Sequence, residues 1–317
     1  MRNMRASGLL LLALLAALLL SGCQTAPPAT PPGDAQVVAP VEPPPPTPPP
    51  PPPLLPPPPK PPVIGLALGG GAARGFAHIG VIQVLEEAGI RPQLAAGTSA
   101  GSLVAALWAS GLNGDALARL AVQMDEGDLA DWAFPGRGLL RGDALARYVR
   151  LHTGRVPIER MPRALGILAT DLDSGEPVLF RRGDTGVAVQ ASSAVPAVFR
   201  PVAIGGREYV DGGLVAPVPV SWARQMGAGL VVAVDISEPT HGAATQDALR
   251  MLLQTFSIMG RRLNHHELAL ADIVIRPDMT GLAGTDFGSR QRALAAGRQA
   301  ALLALPALRQ RIAALTR

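Results

Sequence analysis

The chain has almost no cysteine and almost no lysine: of 317 residues, Cys23 is the only cysteine and Lys60 the only lysine. A lone cysteine cannot close an internal disulfide, so no cross-link within the chain supports the fold. The net charge of +4 therefore comes almost wholly from arginine. These arginines are scattered through apolar segments and form no stripe. Aromatic residues make up only 3% of the chain, too few to stack bases, and with the scattered charge this argues against nucleic-acid binding. Histidine is scarce too, at five residues, which restricts the bases available for catalysis. Glycine (35), proline (33) and a hydrophobic fraction of 48% are what the chain has in plenty. Its length accommodates one large domain or two small ones, with enough apolar residues for a sizeable core.

The prolines are concentrated near the N-terminus. Arg2 and Arg5 precede an apolar run from Gly8 to Leu20, followed by Ser21, Gly22 and Cys23. A charged start, a short apolar stretch and small residues make an export signal. The run is short of the roughly 20 apolar residues a membrane-spanning helix needs; the alternative is an uncleaved anchor helix. Leu20-Ser21-Gly22-Cys23 resembles a bacterial lipobox. That resemblance implies removal of residues 1–22, lipidation of Cys23 as the new N-terminus, and anchoring in the cell envelope. Gln24 stands where an aspartate often retains lipoproteins at the inner membrane, so the expected destination is the outer membrane, facing the periplasm. Residues 23–62 then form a proline-rich linker that cannot bury a core and favours polyproline II. At about 3.1 Å per residue, roughly 35 such residues hold the following domain up to about 100 Å from its anchor.

Residues 63–317 read as one folded domain. Val63 to Leu68 is a short apolar run and predicts a buried strand. The glycine-rich GGGAARG follows, and then apolar residues at Phe76, Ile79, Ile82 and Leu85, with Gly89 as a stop, predict a helix. Strand, glycine loop and helix N-terminus together make an anion cradle. It is not a dinucleotide site, because Arg74 stands at the sixth position of G-x-G-x-x-G counted from Gly69. It is not a Walker A loop either, because Phe76 stands where lysine is required. Gly97-Thr98-Ser99-Ala100-Gly101 fits G-x-S-x-G between a strand and an alanine-rich helix, the context in which a serine sits on a sharp elbow as nucleophile. The competing reading of Ser99 is a helix cap.

A nucleophilic serine needs a base. His152, His241, His265 and His266 lie downstream, but His265 and His266 fall on the polar face of a predicted long helix and no short loop after a strand presents them. His78, beside the glycine loop, reads as a helix histidine satisfied by packing or by a backbone carbonyl. Asp171 and Asp173 precede Gly175 and read as a β-turn, with no accompanying ligand cluster for a metal. Two more buried parallel strands are expected in Gly229 to Ser237 and Ala271 to Pro277, and a terminal helical region interrupted at Pro306. Strands alternating with helices predict an α/β fold with a mainly parallel sheet flanked by helices on both faces.

The glycine loop, the GTSAG elbow and the Asp211-Gly212-Gly213 turn occur in that order. Together with GFAHIGVIQVLEEAGI, ATDLDSGEPVLF and ASSAVPAVFRPV they closely resemble the patatin-like phospholipase family from Val63 to about Ile236. The resemblance implies a patatin-like α/β fold and a Ser–Asp dyad without histidine, in which Ser99 attacks an ester and Asp211 removes its proton. It also implies an oxyanion hole from the N–H groups of Gly69, Gly70 and Gly71, with Gly97 and Gly101 shaping the elbow. Arg74 is expected to orient the loop, attract a phosphate headgroup or form a salt bridge. The expected partner is a membrane lipid substrate; no cofactor, metal or nucleic acid is called for, and the oligomeric state is left open. Two rival readings are a non-catalytic lipid-binding envelope lipoprotein and a Ser-His-Asp esterase.

Overall fold

Short apolar runs bounded by glycine build the centre of the fold. The computed structural model describes residues 60–124, 127, 131, 138–237, 247–284 and 286–316. The expected export signal, Cys23 and nearly all of the proline-rich stretch expected to act as a linker lie outside the described residues, as does His241. The described residues all belong to one unit, Pro57–Arg317.

Every residue of β1 (Ile64–Leu68) is buried. A 3₁₀ turn, Ala72–Gly75, leads from it into α1 (Phe76–Glu87), which stops just before Gly89 at φ +74°. β2 (Leu94–Thr98) is again wholly buried and runs straight into α2 (Ala100–Ala109). α3 (Gly114–Gln123) begins on Asn113, whose side chain accepts from the Ala116 N–H. Beyond it come β3 (Gly138–Leu140) and α4 (Asp143–His152). β4 (Ala164–Asp171), the longest strand, pairs with the short β5 (Pro177–Phe180). α5 (Thr185–Ser192), β6 (Ala197–Phe199), β7 (Val202–Ile204) and β8 (Arg207–Asp211) follow. The chain then returns through α6 (Val220–Gln225), β9 (Leu230–Val234), α7 (Ala248–Ala269), β10 (Ile273–Ile275) and α8 (Arg290–Leu315).

Among the described residues the main sheet has eight strands in the order β10-β9-β1-β2-β4-β8-β7, with β5 also on β4. The five from β10 to β4 are parallel; β5, β8 and β7 join antiparallel. Both faces are covered, as near-continuous apolar strands require. Leu66, Leu68, Val232 and Val234 turn to one side and pack with residues of α1, α2 and α8. Ala67, Ala96, Val231 and Ala233 turn to the other and pack with Val220, Ala223 and Leu268 of α6 and α7. The mainly parallel sheet between two helical layers, and the strands expected around Gly229 to Ser237 and Ala271 to Pro277, are therefore present. The small β3–β6 sheet and the antiparallel edge carry no distinct sequence signal.

One expectation is corrected. α8 runs unbroken through Pro306. A proline inside a helix removes one hydrogen bond and crowds the carbonyl four residues back, which usually kinks or ends the helix. Here packing on both sides of the proline outweighs that cost: Ala293 and Ala301 are buried before it and Leu308 after it. The N-terminal part of α8 crosses α1 very closely. A Cβ on Gly297 would lie 2.0 Å from the Ala77 carbonyl oxygen, and one on Gly80 2.1 Å from that of Leu294. Gly297→Ala should accordingly destabilise the fold by about 3 kcal/mol, as overpacking does, although alanine would add about 1 kcal/mol in an exposed helix. A chemical-denaturation midpoint that stays put or rises would contradict this packing.

Candidate active site

Ser99 links β2 to α2 with φ 52° and ψ −124°, a conformation that costs a non-glycine residue about 1–3 kcal/mol and is held only by its surroundings. Those surroundings are visible. A Cβ on Gly97 would sit 2.6 Å from the Gly101 carbonyl oxygen, and one on Gly101 would sit 2.1 Å from that of Leu68. Both glycines flanking the serine are therefore required by close backbone approach, which is what a sharp elbow demands. The Ser99 side chain makes no capping bond to α2, so the helix-cap reading does not hold. Its N–H donates instead to Ser192 Oγ at 2.9 Å. Ser192 Oγ in turn donates to the Leu168 carbonyl at 2.5 Å. The Ser99 carbonyl receives the Ser102 hydroxyl at 2.6 Å.

Asp211 ends β8, opposite Ala169 of β4. Its backbone is fixed on both sides: its N–H donates to Ala194 O at 3.0 Å, and its carbonyl accepts from Thr170 Oγ1 at 2.8 Å. Thr98, next to the elbow, ties the following loop down by donating to Ala216 O at 2.9 Å. Gly212 lies so close to β4 that a Cβ there would be 2.3 Å from the Leu168 carbonyl oxygen, and the Gly213 N–H donates to Asp211 Oδ1 at 2.7 Å. The carboxylate thus caps its own short turn, as the bland reading of an acid in such a turn requires, and it also faces the Ser99 hydroxyl. Burial pushes its pKa up to about 6, against the hydrogen bonding of Ser99 and of the Gly213 N–H, which favours the charged form. A carboxylate of that basicity suits proton abstraction near neutral pH far better than one in water.

The three glycines of the loop are not equivalent, and the expected oxyanion hole is corrected in part. The Gly69 N–H is spent on Val234 O at 3.1 Å and the Gly70 N–H on Pro217 O at 3.0 Å. Both bonds belong to the closure of the loop against β9 and the segment after Asp211. Gly70 still faces Ser99, since a Cβ there would be 3.2 Å from Ser99 Cβ. Gly71 is the one of the three whose N–H is not given to a backbone carbonyl among the described residues. Arg74 is buried, and its Nε donates to Ile236 O at 3.0 Å, which supports the loop-orienting role. His78 is fully buried with its Nε2 2.8 Å from Gly69 O, and desolvation lowers its pKa to about 4. It is thus a neutral donor to a backbone carbonyl, as read from the sequence. Asp171 Oδ1 accepts from the N–H groups of Asp173 and Ser174 and from the Ser174 hydroxyl, which is the turn expected there.

Residues 66–223 match the family model described as patatin-like phospholipase. The chain belongs to the patatin-like phospholipase family. An NTE family protein of Mycobacterium tuberculosis is 33% identical over 271 residues, covering 77% of this chain and 46% of its own length. Patatin-like phospholipase domain-containing protein 6 of Mus musculus is 30% identical over 226 residues, covering 68% of this chain and 16% of its own length. The chain therefore spans under half the length of either relative. The crystal structure of VipD from Legionella pneumophila shares the fold, with a TM-score of 0.54 at 17% identity over 76% of this chain and 66% of that one.

In this patatin-like domain Ser99 opens onto an apolar cavity of about 330 Å³, whose walls include Phe76, Leu103, Leu107, Leu117 and Phe199 beside Ala100. No histidine is among the described residues lining it. His152 lies at the end of α4 against Tyr148, ring centroids 4.3 Å apart, and His265 and His266 are exposed on α7. The site residues that escape sequence reasoning are Thr98, Thr170 and Ser192. Each is a common hydroxyl residue whose role depends on which carbonyl or N–H the fold brings beside it. Ser192 lies inside the ASSAVPAVFRPV block, but nothing in its residue type marks it.

Proposed function

We propose that the chain is a serine acyl-ester hydrolase acting on phospholipids or lysophospholipids through Ser99 and Asp211. The observation that carries this is one constellation: a strained serine at the mouth of an apolar cavity, facing a buried carboxylate of raised pKa. Asp211 takes the proton of Ser99 Oγ as that oxygen attacks the ester carbonyl carbon. The tetrahedral adduct collapses, the ester C–O bond breaks, and the departing alcohol receives the proton from Asp211. Water then attacks the acyl-enzyme, giving its proton to Asp211; the Ser99 Oγ–acyl bond breaks, the fatty acid leaves and Asp211 returns the proton to Ser99 Oγ. The Gly71 N–H supports the oxyanion together with the N–H of Ala100, the residue after the nucleophile and the first of α2, where backbone donors have no partner within the helix. Each such donor is typically worth about 3 kcal/mol in the transition state. The cavity takes the acyl chain, and the chemistry calls for no metal or cofactor.

The full chain should release free fatty acid from a bacterial phospholipid extract, followed by lipid mass spectrometry, and Ser99→Ala should not. Equal lipid binding by both proteins with no product from either would instead favour a lipid-binding lipoprotein. We further propose that the protein is exported and anchored through Cys23 by its proline-rich linker. The short apolar run, the sequence Leu20-Ser21-Gly22-Cys23 and the absence of any other cysteine support this. Cys23→Ser should abolish incorporation of labelled fatty acid into the protein in growing bacteria; label retained by the variant would exclude the lipobox.

A further inference from the structure

α7 has an unusual distribution of burial. Of its 22 residues only Asn264 and Leu268, both in the C-terminal third, are buried. That end is well tied down. Asn264 Oδ1 accepts from the Val218 N–H at 3.0 Å, Asn264 Nδ2 donates to Ser237 Oγ at 2.9 Å, and Glu267 receives both the N–H and the hydroxyl of Ser221. Gly260 brings the helix onto the catalytic turn itself: a Cβ there would be 3.3 Å from Pro217 and 4.0 Å from the Gly213 carbonyl oxygen.

The outer face of the same helix is apolar. Met251 is 58% exposed, Ile258 51%, Met259 54% and Leu252 38%. Met251 and Ile258, like Leu252 and Met259, are seven residues apart, so the four share one stripe. Solvated helix faces are normally polar, and a clustered apolar stripe marks a surface that something covers. The helix carries three exposed arginines: Arg250, whose Nε pairs with the Asp247 cap at 3.3 Å, and Arg261 and Arg262 in its C-terminal half; its one glutamate, Glu267, is bonded to Ser221. Apolar side chains beside exposed arginines such as Arg261 and Arg262 suit an anionic bilayer surface, where the former enter the acyl boundary and the latter meet phosphate. Pairing of the stripe with a second copy would instead bring like charges together.

We infer that the outer face of α7 docks on an anionic phospholipid surface and so holds the Asp211 turn, and with it the Ser99 cavity, against the lipid. The choice of a lipid surface rests on the proposed hydrolase activity; the exposed apolar stripe and its neighbouring arginines are independent of it.

Because Cys23 is the only cysteine, Cys23→Ser combined with Ile258→Cys leaves one thiol in the full chain for a nitroxide label. On vesicles of phosphatidylglycerol and phosphatidylcholine, the label should become accessible to oxygen and shielded from an aqueous nickel chelate. On pure phosphatidylcholine that shift should be several-fold weaker. A second measurement uses Ile258→Glu with Met259→Glu. This variant should turn over phospholipid in the anionic vesicles at least 10-fold more slowly, with turnover of a soluble short-chain ester unchanged. A label that stays in water while the protein is vesicle-bound overturns the inference. So does spin–spin coupling without vesicles, which would show that a second copy covers the face, and so does equal insertion into neutral and anionic vesicles. Absence of turnover on every ester, with the label inserted, would defeat the hydrolase reading and leave the docking face standing.

Discussion

Asp211→Asn is expected to lower acyl-ester turnover by about 10³-fold, the usual scale for loss of a general base. It should do so while making the protein more stable. The amide keeps the shape of the carboxylate and can still accept from the Gly213 N–H, but it has no charge to desolvate. In the native protein burial raises the Asp211 pKa to about 6 from an ordinary 3.8. The protonated form is therefore the one the fold favours. The stability linked to it is fully present below the unfolded pKa, near pH 4, and is lost as pH rises through about 6. Above that pH the ionised carboxylate costs the fold up to about 3 kcal/mol, and replacing it should recover about 1–3 kcal/mol. Denaturation midpoints at pH 8 should thus be higher for Asp211→Asn than for the unsubstituted protein, with the gap closing toward pH 4. A variant equally stable at both pH values would mean that the carboxylate is not desolvated.

Gly101→Ala has the second large effect, by a different route. Its methyl group would need the space 2.1 Å from the Leu68 carbonyl oxygen, and that atom is backbone of a central strand, which cannot swing aside. Either β1 and α2 separate or the elbow rotates. Separation should cost about 3 kcal/mol of stability. Rotation by about 1 Å should cost about 100-fold in turnover. A circular-dichroism melt together with turnover of a soluble ester reads both, and a variant indistinguishable from the parent in each would show that the elbow is not held by this contact.

Much of this architecture is legible in the sequence because its causes are local. Buried parallel strands show as unbroken apolar runs such as Ile64–Leu68 and Leu230–Val234. The elbow shows because glycine is required on each side of Ser99, and the Asp211 turn because Gly212 must lie flat against β4. The parts that are not legible depend on distant pairings. Whether a glycine N–H is free for an oxyanion is decided by Val234 and Pro217, which lie far along the chain from Gly69 and Gly70. Residue type cannot reveal it, and among the described residues only Gly71 of the three gives its N–H to no backbone carbonyl. The continuation of α8 through Pro306 is likewise decided by what Leu308 packs against rather than by the proline. The raised pKa of Asp211 follows from burial, which the acid's identity and its neighbours in sequence do not encode.

The central claim is that Asp211 is the base that activates Ser99, and the pH dependence of labelling by a fluorophosphonate tests it most directly, since that reagent captures an activated serine. Labelling of the unsubstituted protein should map to Ser99. Its rate should fall on the acid side with a midpoint near pH 6, where the buried carboxylate takes up its proton. In Asp211→Asn the rate should be about 10³-fold lower and flat across that range, while His152→Ala, His241→Ala, His265→Ala and His266→Ala retain the parent profile. An Asp211→Asn protein that keeps the parent rate and midpoint, with one histidine variant losing both, would contradict the account.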